Sequence, residues 1–190
     1  MKLIDFLKNE KFENFASLID EKPNLEDRDR DGKTALIWAV LDGKVEYAQL
    51  LLDAKAELDA QDTRYGKTAL IWAMEHGEIN CAQLLVEAKA YVDSRDNNGY
   101  TALMWAIQYG RIEGAQLLVK ARADPDAKDN DGYTAFIWAA RYSSTECSKL
   151  LVDANASLET TDDDCVTALL WATLEGKTEC VQLLLEARAN

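Results

Sequence analysis

The stretch from Asp27 to Gly32, DRDRDG, has the carboxylate spacing that opens a calcium loop. Asp27, Asp29 and Asp31 fall where such a loop places its first oxygen ligands, and Gly32 falls on its sharp turn. A cage of that kind is completed by a bidentate glutamate at the twelfth loop position. Here that position is Trp38, whose indole ligates nothing. The sequence therefore argues against calcium. The acidic run Asp162-Asp163-Asp164 lacks the inward convergence of a metal or catalytic site and reads as a solvated turn. His76 is the only histidine, so any Ser-His or Cys-His chemistry would depend on it, and neither a G-x-S-x-G elbow nor a P-loop occurs. No catalytic residues, cofactor or metal are expected.

Composition narrows the partner classes. The 190 residues carry 34 Asp and Glu against 21 Lys and Arg, a net charge of −13. Such a surface repels phosphate backbones and anionic lipid heads, which disfavours nucleic acid and membrane and leaves a protein with a basic or mixed-charge segment. The apolar fraction of 48% supports a substantial core. No apolar run approaches the roughly 18 residues of a membrane span. The start MKLIDFLKNE is amphipathic and acidic, unlike a signal peptide, so a soluble cytoplasmic protein is expected.

The elements that position these residues come from a repeat. TALIWA at 34–39 recurs as TALIWA at 68–73, TALMWA at 101–106, TAFIWA at 134–139 and TALLWA at 167–172. A second block follows each copy: AQLLLDAKA at 48–56, AQLLVEAKA at 82–90, AQLLVKARA at 115–123, SKLLVDANA at 148–156 and VQLLLEARA at 181–189. Before each Thr stands an Asp, at Asp29, Asp62, Asp96, Asp129 and Asp162, usually with Gly three residues on, the signature of a type I turn. The acidic opening is thus a turn. Each Thr sits where a helix N-cap belongs, and Gly43, Gly77, Gly110 and Gly176 sit where the short apolar helix should end. The second block suits a helix with one buried face. Neither helix buries its apolar face alone, whereas stacked neighbours do.

This unit resembles the ankyrin repeat, about 33 residues with a T-P-L-H-x-A signature, a β-turn and two helices. The resemblance implies an all-α solenoid: an N-terminal capping helix pair at 1–28 and repeats at 29–61, 62–95, 96–128, 129–161 and 162–190. It further implies a concave groove lined by turn tips and first helices that binds proteins. The signature Pro is Ala in every copy, and the His is Ile37, Ile71, Met104, Ile137 and Leu170, so apolar packing should replace an imidazole network. The Gly after the second helix becomes Lys55, Lys89, Arg122, Asn155 and Arg188, each costing on the order of 1 kcal/mol if left-handed. Ser143 and Cys165 replace two further glycines, and the turn holding Tyr65 is one residue longer than the others.

Trp38, Trp72, Trp105, Trp138 and Trp171 share one repeat position and are expected to form a mainly structural ladder, with an edge reaching the groove. Cys81, Cys147 and Cys180 share a second-helix position, about 8–10 Å apart between adjacent repeats, which exceeds disulfide reach and predicts reduced thiols. They lack C-x₂-C spacing for zinc. Five tyrosines, Tyr65, Tyr100, Tyr109, Tyr133 and Tyr142, occupy positions that the resemblance places on the groove, all in repeats 2–4. With Arg30, Lys33, Arg64, Lys67, His76 and Arg141 they form the candidate partner-binding set. The expected protein is a non-enzymatic adaptor or scaffold, with the recruiting or regulatory region of a larger enzyme as the alternative. A monomer is expected. The apolar ending CVQLLLEARAN leaves three readings open: a partly exposed last face, continuation into a longer protein, or weak self-association.

Overall fold

Each TAL-WA block forms a short helix because its Thr hydroxyl accepts the first free amide: Ile37 N–H donates to Thr34 Oγ1 at 3.4 Å, and Thr68, Thr101, Thr134 and Thr167 each do the same at 3.3 Å. The structure, a computed structural model, describes residues 3, 4, 7, 12–142 and 145–189. Ser143 and much of the expected N-terminal cap lie outside the described residues. The chain divides into two compact units, Met1–Asn97 and Asn98–Asn190.

In the first unit, α1 (Phe12–Asp20) precedes two helical hairpins, α2 (Ala35–Leu41) with α3 (Val45–Asp53) and α4 (Ala69–His76) with α5 (Ile79–Glu87). The second unit holds three: α6 (Ala102–Gln108) with α7 (Ile112–Lys120), α8 (Ala135–Tyr142) with α9 (Thr145–Asp153), and α10 (Ala168–Leu174) with α11 (Thr178–Ala189). Within each unit the first helices pack side by side, and the second helices form a parallel row behind them. The core lies between the rows: Leu36, Ile37 and Val40 face Ala48 and Leu51, and Phe136 and Ile137 face Cys147 and Leu151. The second unit also carries an isolated β-bridge, Thr161 to Thr167.

Apolar packing does replace the imidazole. Ile37, Ile71, Met104 and Ile137 are each at most 2% exposed. Leu170, at the same position of the last hairpin, is 51% exposed, and Leu174 at 72% and Leu185 at 53% of that hairpin are exposed too. Four first helices end at glycines with positive φ, Gly43, Gly77, Gly110 and Gly176, Gly77 at 79° being the clearest C-cap. The second helices end at the expected left-handed residues, with φ of 71° at Lys55, 73° at Lys89, 65° at Arg122 and 57° at Asn155. Lys55 N–H donates to Leu52 O and Ala56 N–H to Leu51 O, both at 2.9 Å, which is the Schellman closure. The last hairpin departs from this expectation: α11 continues through Arg188 to Ala189, so the helix does not turn there.

Neighbouring turns are joined by backbone hydrogen bonds. Thr63 N–H reaches Asp31 O at 3.0 Å and Asn97 N–H reaches Tyr65 O at 2.9 Å in the first unit. Asn130 N–H reaches Asn98 O and Asp163 N–H reaches Asp131 O in the second, at 3.0 and 3.2 Å. A second tie lies behind the helices, where Glu26, Asp59 and Asp126 accept the backbone N–H of Glu57, Tyr91 and Ser157 at 2.8–2.9 Å.

Candidate binding faces

Four of the turns are pinned to their own helices by carboxylates. Asp29, Asp62, Asp129 and Asp162 accept the indole N–H of Trp38, Trp72, Trp138 and Trp171 on Oδ2, at 2.8, 2.9, 2.8 and 2.7 Å. The other oxygen, Oδ1, accepts backbone amides of the same turn: Asp131 and Tyr133 N–H donate to Asp129 at 3.0 and 2.9 Å. The Asp29 carboxylate is committed in the same way, to Asp31, Lys33 and Trp38, and Asp31 turns toward Lys33 and Arg64. The carboxylates of the calcium-like stretch therefore diverge into local structure. Among the described residues no group of three or more metal-ligating side chains converges.

Two positions around each tryptophan set the character of the face. The residue before the capping Thr is Lys33, Lys67, Tyr100, Tyr133 and Val166 in successive copies. Tyr100 meets Trp105 of its own hairpin edge-on at 5.5 Å and Trp138 of the next at 5.1 Å. Tyr133 does likewise with Trp138 at 5.6 Å and Trp171 at 6.0 Å. The second unit thus carries an unbroken Trp-Tyr-Trp-Tyr-Trp ladder. In the first unit Lys33 is the rung, its Nζ 5.9 Å from Trp38 and 5.2 Å from Trp72. Lys33 and Lys67 are 7% and 6% exposed, and Lys67 is held by Glu75 at 2.6 Å, so both cations support the face from beneath.

The residue four after each tryptophan, one helical turn on, is Asp42, His76, Tyr109, Tyr142 and Glu175. Tyr109 stacks on Trp105 at 5.7 Å and 9°, and Tyr142 on Trp138 at 5.1 Å and 27°. The two residues are 48% and 49% exposed, and the Arg141 guanidinium lies 4.8 Å from the centre of the Tyr142 ring. His76 lies 5.5 Å from Trp72, with Tyr65 against the same indole at 5.8 Å. Arg141 lies 4.2 Å from the Trp171 ring, donates to the Tyr133 hydroxyl at 3.1 Å and stands 3.9 Å from Glu175.

The candidate residues therefore separate into two groups on each unit. Arg64, Tyr65, His76, Tyr109 and Tyr142 are exposed, as is Arg30, whereas Lys33, Lys67, Tyr100, Tyr133 and Arg141 are buried or half-buried in the aromatic stack. Sequence reasoning missed the Asp–Trp bond and the Tyr rungs, although the pairing of the residue before Thr with the Trp one repeat on was a readable signal.

The charges respond to these surroundings. The Arg64 and Lys33 hydrogen bonds hold the Asp31 carboxyl below the usual range. Burial pushes Asp129 up, against the opposing hydrogen bonds from Trp138 and its own turn. Burial also raises the Cys180 thiol and, with Glu78 and Glu46 nearby, pushes Cys81 up to about 11.

The model for three tandem ankyrin repeats matches residues 54–129 and 121–190, and that for the single ankyrin repeat matches 31–63. The chain belongs to the ankyrin-repeat family, an all-α fold whose general role is to mediate protein–protein interaction. No curated protein matches the sequence significantly. Among the described residues no helix is long and apolar enough to cross a membrane.

Proposed function

We propose that this chain is a non-enzymatic adaptor or scaffold that docks a protein partner, with a basic or mixed-charge segment, on its turn-tip faces. The supporting observation is the pair Tyr109 and Tyr142, half exposed yet held flat on the indoles of Trp105 and Trp138, the latter fixed by a buried hydrogen bond to Asp129. Rings ordered before binding lose little entropy on association, and tyrosine is enriched among residues that dominate interface energetics. On the first unit Arg30, Arg64, Tyr65 and His76 offer a smaller exposed set. In this reading the cap is 1–28, the five repeats keep the boundaries derived above, and the protein is an intracellular monomer with reduced thiols.

The test is affinity capture with the full chain, followed by titration of the purified partner. Tyr109→Ala with Tyr142→Ala should weaken that partner by about tenfold or more. Gln116→Ala, on the exposed side of a second helix, should leave it unchanged. Equal affinity for all three proteins overturns the reading.

A second reading, the recruiting region of a larger enzyme or complex, is favoured by exposed Leu170, Leu174 and Leu185 on the last hairpin, where a further domain or subunit would seat. The same leucines would carry weak self-association. Light scattering of the wild type and of Leu170→Lys with Leu174→Lys separates that case, since only self-association lowers in the variant.

A further inference from the structure

Resting on the adaptor reading, we propose that the face of residues 98–190 bearing Tyr109 and Tyr142 binds a proline-rich segment in the polyproline II conformation, with lysine or arginine at its flanks. The two rings occupy equivalent positions on α6 and α8, first helices that pack side by side and are bridged through Trp105, Tyr100 and Trp138. Packed helices stand about 8–10 Å apart. A polyproline II helix advances about 3.1 Å per residue with three residues per turn, so residues i and i+3 lie on one side about 9 Å apart. Prolines with that spacing meet both tyrosines in register.

Other backbones fit less well. A β-strand puts residues i and i+3 on opposite faces, and its same-side neighbours are only about 6.7 Å apart. An α-helix matches the step only through residues two turns apart, and its width of about 10 Å needs a broad apolar trough. Here the exposed large apolar surface of the two hairpins is chiefly the two phenol rings. Proline rings need only flat aromatic faces. A polyproline II backbone also leaves every carbonyl without an internal partner, ready to accept from phenol hydroxyls.

The charges around the rings select the flanks. The turn tips carry Asp131, Asp163 and Asp164, all exposed. The cation nearest the ladder, Arg141, is shared among Trp171, the Tyr133 hydroxyl and the Tyr142 ring at 4.8 Å, with Glu175 3.9 Å away, so the charges left free at the turn tips are acidic. Together with a net charge of −13, this favours lysine or arginine beside the prolines.

The probe is a synthetic peptide of about twelve residues, four polyproline turns, with prolines at i and i+3 and lysines at both ends. It is titrated into the full chain by calorimetry and by tryptophan fluorescence, to which Trp105 and Trp138 beneath the tyrosines contribute. A saturable change is expected, reduced about tenfold or more in Tyr109→Ala with Tyr142→Ala and reduced less in the Phe pair, which keeps the rings. Circular dichroism verifies that each variant is folded. A peptide with every proline replaced by alanine should bind about tenfold more weakly. If it binds as well, simple charge attraction explains the contact and the proposal falls. If neither peptide binds while a captured protein still depends on Tyr109 and Tyr142, the polyproline assignment falls and the adaptor reading stands.

Discussion

The indole nitrogen of Trp138 donates to Oδ2 of Asp129 at 2.8 Å, joining the tip of a turn to the helix that begins six residues later. Both groups are buried, at 7% and 5% exposure, so neither has water as a substitute partner. Trp138→Phe keeps most of the ring and removes the donor. A buried acceptor left in this state costs about 1–3 kcal/mol. Urea unfolding of the variant should show a loss near 2 kcal/mol. Trp38→Phe should lose less, because Asp29 and Trp38 are both only half-buried and water can replace the donor.

The left-handed lysines give the opposite sign. Lys89 has φ of 73°, a conformation that costs a non-glycine residue about 1 kcal/mol or more. Lys89→Gly relieves that cost but adds freedom to the unfolded chain. The relief should dominate, stabilising the protein by about 0.5 kcal/mol or more in the same unfolding assay. A destabilised variant would mean that the lysine side chain contributes more at the helix end than the strain removes.

Asp31 and Asp129 should respond to acid in opposite directions. The folded pKa of Asp31 lies below its unfolded value of 3.8, so its stabilisation is present above that value and disappears as pH falls through the lowered folded pKa. The folded pKa of Asp129 lies above 3.8, so the folded state binds the proton first and stability from this group falls as pH rises through that window. Comparing Asp31→Asn and Asp129→Asn with the wild type across the acid range should reveal a deficit for Asp31→Asn near neutrality that vanishes in strong acid. Asp129→Asn should flatten the slope just above pH 3.8.

The thiols should divide by burial. Cys165 is exposed, whereas Cys81, Cys147 and Cys180 are buried, and Cys81 is pushed up to about 11. A thiol reagent at neutral pH should label Cys165 promptly and the other three only after urea, as peptide mapping would show. Prompt labelling of Cys81 would contradict the packing of the second-helix row.

What was legible in the sequence was what is local. The Asp turn, the Thr cap, the glycine stop and the left-handed cation each involve residues within about one turn of one another, and all appear where the repeat placed them. The exception is Arg188, through which α11 continues as helix. Less legible was anything joining one copy to the next. Tyr100 reads as a groove residue until Trp138, 38 positions on, is seen against its ring. Lys33 and Lys67 read as exposed bases because lysine usually is, yet both lie under aromatic rings. Spacing along the chain aligned the tryptophans in a ladder without showing that Tyr100, Tyr133 and Lys33 are its rungs.

The turn that holds Tyr65 is one residue longer than its counterparts, yet Asp62 still accepts from Arg64, Tyr65, Lys67 and Trp72. The carboxylate therefore works as a clasp, closing the base of the loop whatever protrudes above it. Variation beyond the clasp leaves the hairpin beneath undisturbed, so this lineage could diversify its recognition tips without renegotiating its architecture. Because the main chain of 63–65 also ties to the turns on either side, it is the side chains there that are free to vary.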